Sequence, residues 1–344
     1  PEEILILTMQ SHQKYFPLFS KKDEITNEFL VVANNKDKQG LIKIGNERVV
    51  EARLRDAEFF WIKDKSQNLV KKISELKSMN FFKGLGTYFD KIQRMRKLGA
   101  LISDELLISK EKVELSASIC KTDLMSESVG EFPELQGVMG GYLSQAQGFD
   151  KDIVDAIKEQ YLPIGLDSAI PKKPYNITLS IADKIDTLVG FFGVNEKPSS
   201  SKDPYALRRT ALGIIRIIIE NKRDLKISDL ISYSSNIYLD QGFNFSNNTL
   251  QKDILNFLKD RFKYYLKEKN IRHDIIEAIS NVFNLNTIST AFEKAKSLNK
   301  VINKTTGEDI VSSYKRASNI LHSEVKDINK DLTNLTDPGI FKND

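Results

Sequence analysis

The sequence has very few of the residues that cross-link a chain or bind soft metals. Its 344 residues include one cysteine, Cys120, and three histidines. One cysteine excludes an intrachain disulfide, and this set of side chains offers too few soft ligands for a zinc finger or zinc ribbon. We therefore expect a protein of a reducing compartment, the cytoplasm, that folds on an apolar core without cross-links.

Long apolar runs and a strong net charge are also lacking. The longest apolar stretches, such as Gly213–Ile219, are far shorter than the roughly 20 residues of a membrane-spanning helix, and Arg216 interrupts this one. No membrane span is expected. With 51 basic and 47 acidic residues the net charge is only +4. A polyanionic partner would therefore have to bind local basic faces, because the overall field is weak.

The apolar pattern changes along the chain. Aliphatic runs at Ile4–Met9, Phe29–Asn34 and Leu41–Ile44 predict short strands. From Asn46, a candidate N-cap, and again after Gly84–Gly86, the apolar spacing becomes helical. The predicted fold class is therefore mainly α, with a small N-terminal α+β portion.

Apolar stripes at helical spacing predict the core faces of the later helices. A polar loop is predicted at Asn195–Lys202, and the Asp203-Pro204 pair after it is expected to begin a helix. A last long helix is predicted at Ser312–Lys326, followed by a turn at Thr336–Gly339. The stripes are Ile92, Met95, Gly99, Ile102 and Leu106; Ile181, Ile185, Leu188, Val189 and Phe192; Leu207, Ala211, Ile214, Ile215 and Ile218; and Leu255, Leu258, Phe262 and Tyr265.

Two carboxylates, Asp183 and Asp186, are three residues apart in one predicted helix. Residues at that spacing share a helix face, so a third carboxylate such as Asp123 would complete a candidate metal site. The alternative is an ordinary pair of charges that faces solvent or caps a neighbouring helix.

No catalytic residue is predicted. Cys120 and the serines have no evident histidine partner for nucleophilic catalysis, and we expect Cys120 to be a small buried side chain. The glycine-rich segments Gly84–Gly86 and Gly137–Gly141 lack the lysine and hydroxyl residue of a phosphate-binding loop. These glycines predict turns or close helix contacts instead.

Basic residues cluster on three predicted helices. A row of lysines or arginines is able to neutralise phosphates, although a plain solvated face explains any single helix equally well. The clusters are Lys91, Arg94, Arg96 and Lys97; Lys202, Arg208, Arg209 and Arg216; and Lys252, Lys259, Lys263 and Lys267.

Seven stretches of the sequence together give a further signal. They are TMQSHQKYFPLF (8–19), GNERVVEARLRDAEFFW (45–61), LGTYFDKIQRMRKLG (85–99), CKTDLMSESVGEFPELQGVMGGY (120–142), IADKIDTLVGFFGV (181–194), KDPYALRRTALGIIRII (202–218) and YKRASNIL (314–321). In this order and spacing they resemble the beta subunits of bacterial heterotetrameric glycyl-tRNA synthetases, nearly from end to end. Such a series of ordered matches is highly specific, whereas any one of them alone would be weak.

The resemblance implies a non-adenylating role in a glycine-tRNA ligase. In this family the alpha subunit forms glycyl-adenylate from glycine and ATP with Mg²⁺, and the beta subunit supplies most of the contacts that bind the tRNA. The implied partners are tRNA(Gly) and the alpha subunit, in an alpha2beta2 tetramer, with no cofactor bound by this chain. Relative to the family, an N-terminal region and the anticodon-binding domain are missing. We therefore expect an internal fragment that is inactive on its own.

The resemblance also implies four parts. Residues 1–65 correspond to the α+β end of a phenylalanyl-synthetase-like region, and residues 66–200 to an HD-like helical domain. Residues 201–285 form a helical linker or body, and residues 286–344 continue that body towards the missing anticodon-binding domain.

The HD-like part departs from the pattern of the metal-dependent HD phosphohydrolases. Asp123 and Asp183 stand at two acidic positions of that pattern, but Thr122 replaces the histidine of the His-Asp pair. Without imidazole ligands, only weak Mg²⁺ binding is expected and no metal is assigned. An HD-type phosphohydrolase acting on nucleotides is the alternative function, and a scaffold that docks the alpha subunit without touching RNA is a third hypothesis.

The tRNA contacts are expected on the basic helix faces. Arg208 and Arg209 lie near the start of a predicted helix, where unpaired N–H groups and the helix dipole also favour a phosphate. The alternative for these arginines is pairing with Asp183, Asp186 or Glu131. The candidate contacts are Arg94, Lys97, Arg208, Arg209, Arg216, Lys259, Lys263 and His12.

Overall fold

Helices form most of the protein, as the apolar spacing predicted. The computed structural model describes residues 1–243, 245, 249–302 and 305–324. The α-helices of this part are α1 (Glu2–Gln13), α2 (Leu41–Lys65), α3 (Leu69–Lys72), α4 (Tyr88–Leu106), α5 (Lys110–Ile119), α6 (Glu127–Glu131), α7 (Val138–Ala146), α8 (Lys151–Glu159), α9 (Pro174–Gly193), α10 (Leu207–Glu220), α11 (Ile227–Asp240), α12 (Leu250–Glu268), α13 (His273–Asn281), α14 (Ile288–Ile302) and α15 (Thr305–Glu324). Short 3-10 turns lie at Glu75–Ser78, Thr122–Met125, Pro133–Leu135 and Leu285–Thr287.

The described strands are short and lie in two separate antiparallel pairs. β1 (Phe16–Phe19) pairs with β2 (Ile25–Leu30). β3 (Asn80–Phe82) pairs with β4 (Gly86–Thr87). The second pair leads directly into α4, so the β portion extends further along the chain than predicted.

The first predicted strand is wrong, because Ile4–Met9 lies in α1. The first turn of α1 carries Glu2 and Glu3, and the helix dipole favours acidic side chains at that end of a helix. The prediction at Phe29–Asn34 is correct only for its first two residues, because β2 ends at Leu30.

The third predicted strand, Leu41–Ile44, is also wrong, because these residues form the first turn of α2. The carboxylate of Asp37 accepts hydrogen bonds from the N–H groups of Ile42 and Lys43, at 3.2 and 2.9 Å. These bonds satisfy donors that have no partner inside a helix. The helix therefore begins before Asn46, the predicted N-cap.

The apolar stripes predicted for the later helices are confirmed. Thr87 and Asp90 form a capping box at the start of α4, and this reciprocal arrangement fixes where the helix begins. In the stripe of α4, a Cβ added to Gly99 would lie 2.7 Å from Val113 Cγ1. Glycine therefore lets α4 and α5 pack closely at this point.

Helix α9 lies at the centre of the fold. Pro174 occupies its first turn, a position where proline needs no N–H partner. Most of its residues are buried, and it packs against α4, α5, α8, α10, α11 and α12. The largest apolar cluster joins α4 and α9 to α10–α14, a second joins α4, α5, α8 and α9, and a third joins α1, α2, α6 and α7.

The segment before α10 differs from its prediction. The polar loop at Asn195–Lys202 is confirmed, but α10 begins at Leu207 and not at Pro204. The carboxylate of Asp203 accepts hydrogen bonds from the N–H groups of Leu207 and Arg208, at 2.8 and 2.9 Å. Asp203 therefore caps the helix from a turn that precedes it.

The glycine-rich segments form a turn and a close helix contact, as predicted. Gly84 and Gly86 have positive φ angles, 84° and 78°, in the turn between β3 and β4. A Cβ added to Gly140 would lie 2.9 Å from Ile157 Cγ2, and one added to Gly141 would lie 2.8 Å from Lys158 Cβ. In the second segment, the N–H groups of Gly137 and Gly140 donate to the carboxylate of Asp123.

The predicted helix at Ser312–Lys326 lies within α15 as far as Glu324, where the description ends. The predicted turn at Thr336–Gly339 lies outside the described residues. Among the described helices, none combines the length and the hydropathy that crossing a bilayer requires.

Candidate functional site

Helix α9 carries two carboxylates that meet two cations from α4. Asp183 and Asp186 are three residues apart, and so are Lys91 and Arg94. All four side chains are buried, none more than 8% exposed. Because each pair occupies one face of its helix, packing α4 on α9 brings opposite charges together. The two carboxylates therefore form a buried ion-pair network, and the alternative in which they face solvent is wrong.

Asp186 forms the deeper half of this network. Arg94 Nε donates to Asp186 Oδ1 at 2.6 Å, and Lys91 Nζ lies 3.1 Å from Oδ2. The guanidinium of Arg94 also donates to Gln241 Oε1 at 2.8 Å and lies 3.9 Å from the centre of the Tyr238 ring. Burial alone would lower the pKa of Arg94, but the Asp186 carboxylate more than offsets this and raises it. Arg94 is therefore a permanent cation that links α4, α9 and α11.

Asp183 lies nearer the surface and faces two ammonium groups. Its Oδ1 is 3.0 Å from Lys91 Nζ and 3.1 Å from Lys121 Nζ. Burial alone would raise the pKa of Asp183, but the charges of Lys121 and Lys91 hold it well below the usual range. Asp183 is therefore ionised at every physiological pH.

The positions that match the HD pattern hold no metal-binding geometry. The Thr122 hydroxyl donates to a backbone carbonyl in the preceding helix, at 2.7 Å. Asp123 accepts hydrogen bonds from the N–H groups of Gly137 and Gly140, at 2.5 and 3.1 Å. Burial raises the pKa of Asp123 to about 6. Within the described ranges no three His, Cys, Asp or Glu side chains converge on a metal position, and the phosphohydrolase alternative is not supported.

Two predicted contacts, Arg94 and Arg216, lie inside the protein. Arg216 is 7% exposed. Its guanidinium donates to the carbonyls of Gly165 and Ser168, at 2.6 and 2.9 Å, and pairs with Glu220 at 2.7 Å. A buried guanidinium whose donors are already used offers no surface to a phosphate. The expectation that these two arginines lie on exposed basic faces is therefore wrong.

Arg209 points outward from the first turn of α10. It is exposed, and its guanidinium forms neither an ion pair nor a hydrogen bond with the part of the chain that the structure describes. The neighbouring Arg208 is half-buried and donates to the carbonyls of Lys202 and Ser199. Neither arginine pairs with the carboxylates that sequence reasoning offered as alternatives. Asp203 already accepts from two N–H groups at this helix end, so the expected unpaired N–H groups are partly used.

The remaining candidates differ in their surroundings. Lys97 lies 3.8 Å from Asp240, and Lys263 pairs with Glu277 at 2.9 Å. Lys259 lies one turn before Lys263 on α12 and is half-exposed. The side chain of His12 lies outside the described part. Whether any of these residues contacts RNA stays a prediction.

Sequence reasoning missed the partners of Asp183. It grouped Lys91 with a basic helix face, open to phosphate or to solvent, and did not single out Lys121 at all. One signal was present, because Lys91 and Arg94 repeat the spacing of Asp183 and Asp186 with the opposite charge. No sequence signal shows which of many such pairs will face each other.

Comparison with known proteins gives one consistent result. The family described as glycyl-tRNA synthetase beta subunit matches residues 1–281. The glycine-tRNA ligase beta subunit of Rhodospirillum centenum is 37% identical over 331 residues, which cover 95% of this chain and 46% of that protein. The beta subunit of Rickettsia canadensis is 39% identical over 342 residues, which cover 99% of this chain and 49% of that protein. The chain thus spans about half the length of the curated relatives it matches.

Proposed function

Because the chain belongs to the glycyl-tRNA synthetase beta subunit family, we propose that it supplies a tRNA-binding, non-adenylating part of a glycine-tRNA ligase. Its partners in this proposal are tRNA(Gly) and an alpha subunit, in an alpha2beta2 assembly that works in protein synthesis. The alpha subunit would use ATP and Mg²⁺ to form glycyl-adenylate. The observation that carries the proposal is the family match, which extends over most of the chain.

The surface of the helical part supports a role in binding RNA. Arg209, Lys97 and Lys259 extend outward from three different helices, and Arg209 forms no ion pair with the described residues. Phosphate contacts of this kind supply most of the affinity of nucleic-acid binding and make it depend on salt. Proteins recognise double-stranded RNA mainly by its shape and its sugar-phosphate backbone, so contacts of this kind do not need to read the bases.

The division into four parts belongs to the same proposal. Helix α2 ends at Lys65, the first proposed boundary, and the second falls in the loop at Asn195–Lys202. The third lies at the 3-10 turn that begins at Leu285. The largest apolar cluster, however, joins α4 and α9 to α10–α14. We therefore propose that the HD-like part and the helical body share one core and move as one unit.

The test is tRNA binding at several salt concentrations, with a non-cognate tRNA for comparison. The variant Arg209→Gln/Lys97→Gln/Lys259→Gln should weaken the binding of all tRNAs alike. It should also lower the salt slope by about one for each phosphate that the variant no longer neutralises. The control is Arg223→Gln, which removes an exposed arginine beyond the opposite end of α10.

Two results would contradict the proposal. One is tRNA affinity that is undetectable, or independent of salt, in the parent protein. The other is ATP–pyrophosphate exchange with glycine by this chain without an alpha subunit, because the proposal assigns adenylate formation to that subunit.

A further inference from the structure

A cavity of about 580 Å³ lies between α9, α10 and the segment that follows α8. Small-molecule sites in proteins typically enclose about 300–1,000 Å³, so this volume suits a ligand with a ring system. Its lining includes Asp183, Tyr161 and Arg209. Asp183 thus belongs both to the buried ion-pair network and to the lining of this cavity.

The floor of the cavity presents a hydrogen-bond acceptor and a hydroxyl. The ammonium groups of Lys91 and Lys121 lie nearest to Asp183 Oδ1, and Oδ2 accepts no hydrogen bond from the described residues. Lys184 also lines the cavity, and its ammonium group donates to the carbonyls of Tyr161 and Leu162. The Asp183 side chain retains 11% exposure. The hydroxyl of Tyr161 likewise has no hydrogen bond to the described residues, and burial holds the pKa of Tyr161 well above its usual value. The floor therefore offers a carboxylate acceptor and a neutral hydroxyl, beside a lysine whose donors are already used within the protein.

The rim and walls have a different character. Arg209 stands on the rim with its guanidinium unpaired by any described residue, and the carboxylate of Glu134 lies on the same rim. The walls include Pro163 and Ile164, and Ile164 is 61% exposed although it is aliphatic. An exposed apolar side chain beside polar groups is typical of a binding surface.

These features select one chemical class of ligand. At the floor, the charge of Asp183 is compensated by Lys91 and Lys121, and the donors of Lys184 are used by the protein. Arg209 on the rim is therefore the lining cation whose donors remain for a phosphate. The floor accepts N–H or O–H donors, and the apolar walls suit a flat ring. We propose that the cavity binds a single ribonucleotide, with base or ribose donors on Asp183 and Tyr161 and the phosphate on Arg209.

The inference does not rest on the proposed tRNA binding, because a free nucleotide is sufficient to occupy the cavity. The same chemistry is presented by an unpaired nucleotide within an RNA. The experiment therefore includes one arm for each source.

The first arm is calorimetric titration of the purified protein with the four nucleoside 5′-monophosphates and with the matching nucleosides. At least one monophosphate should bind, and its nucleoside should bind at least about tenfold more weakly, a change of about 1.4 kcal/mol, because it lacks the charge-assisted hydrogen bonds to Arg209. Arg209→Gln should remove this difference. Arg208→Gln, the neighbouring arginine that does not line the cavity, is the matched control and should leave it unchanged.

Two further variants test the hydroxyl at the floor of the cavity and the effect of negative charge at its rim. Tyr161→Phe keeps the ring and removes only the hydroxyl, so it should weaken monophosphate binding several-fold. Glu134→Gln removes a negative charge from the rim and should tighten it. A cavity with a merely structural role would show neither effect.

The second arm adds tRNA to the protein loaded with the monophosphate. Displacement of the monophosphate by tRNA in the parent but not in Arg209→Gln assigns the cavity to an RNA nucleotide. Simultaneous binding assigns it to a free nucleotide. The inference is overturned if no monophosphate binds at millimolar concentration, or if Arg209→Gln and Tyr161→Phe bind as the parent does. In that case normal salt-dependent tRNA binding would leave the proposed function standing.

Discussion

Replacing Asp186 by alanine removes the carboxylate on which two buried cations depend. Arg94 and Asp186 are both fully buried, and Lys91 is 2% exposed. The variant leaves the Arg94 guanidinium with Gln241 and a backbone carbonyl as its neutral acceptors among the described residues. Lys91 keeps Asp183 as a partner, at 3.0 Å. The loss of stability therefore comes mainly from Arg94, whose buried charge no longer has an ionised partner.

The expected loss is large compared with the stability of a folded protein. Removing one partner of a buried ion pair costs about 3–5 kcal/mol, because an uncompensated charge remains in a medium of low polarity. Natural proteins unfold with a free energy of about 5–15 kcal/mol. Asp186→Ala should therefore lower the melting temperature by about 4–7 °C, while leaving the helical signal of the folded protein unchanged.

The assay is urea denaturation followed by circular dichroism, on the parent and on four variants, which include the two single changes Asp186→Ala and Arg94→Met. Arg94→Met/Asp186→Ala removes both charges and should recover part of the loss, so that the two changes are less than additive. Glu51→Ala is the control, because Glu51 pairs with Arg55 and both side chains of this ion pair are exposed to solvent. Exposed pairs contribute little, so the free energy of unfolding should not change measurably.

Two outcomes would refute this reasoning. The first is a loss for Asp186→Ala below about 1 kcal/mol, the size of an average substitution. The second is strict additivity of Arg94→Met and Asp186→Ala in the double variant. Either would mean that the buried carboxylate is not what holds these cations in the interior.

Three other predictions follow from single side chains. Cys120 is fully buried and its pKa is raised by burial to about 12; thiol reagents should label it only as fast as the native protein opens, and rapid stoichiometric labelling without denaturant would contradict this. The folded pKa of Asp123, about 6, is above the usual value, so the native state binds more protons than the unfolded chain and loses stability as pH rises from about 4 to 6. Urea titrations should show that the free energy of unfolding of Asp123→Asn rises relative to that of the parent across this pH interval. A difference between the two that does not change with pH would refute the raised pKa. A Cβ added to Gly190 would lie 2.3 Å from the Tyr238 hydroxyl, so Gly190→Ala should cost about 1–3 kcal/mol. The same change at the open helical position Gly45 should be slightly stabilising, and equal effects at both sites would contradict the packing argument.

Much of the helical architecture was predictable from apolar spacing alone. The stripe through Ile92 and Met95 became the buried face of α4, and the stripe through Ile181 and Ile185 became that of α9. These predictions succeed because a stripe repeated over several turns fits only a helix, and it has to be covered by a neighbour. The short run at Ile4–Met9 failed because it is too brief to show a period, since six aliphatic residues fit a strand and a helix equally well.

Family membership was also readable in the sequence, because the ordered stretches depend on residue identity and spacing and not on contacts. The candidate contacts depended on tertiary structure. Arg209 and Arg216 are seven residues apart on α10, yet the first is exposed and the second is enclosed by Glu220 and two backbone carbonyls. Helical spacing gives the face on which a residue lies, but not what covers that face.

The sequence by itself determined the helical class of the fold, its apolar faces and the family. Only the tertiary structure decided which charged residues are interior. Asp186 and Arg94 are 92 residues apart, and each alone reads as an ordinary surface charge. A charge enters the interior only where an opposite charge and enough hydrogen-bond donors or acceptors arrive with it. That condition is met when α4 packs on α9, and no local pattern in either helix shows that it will be.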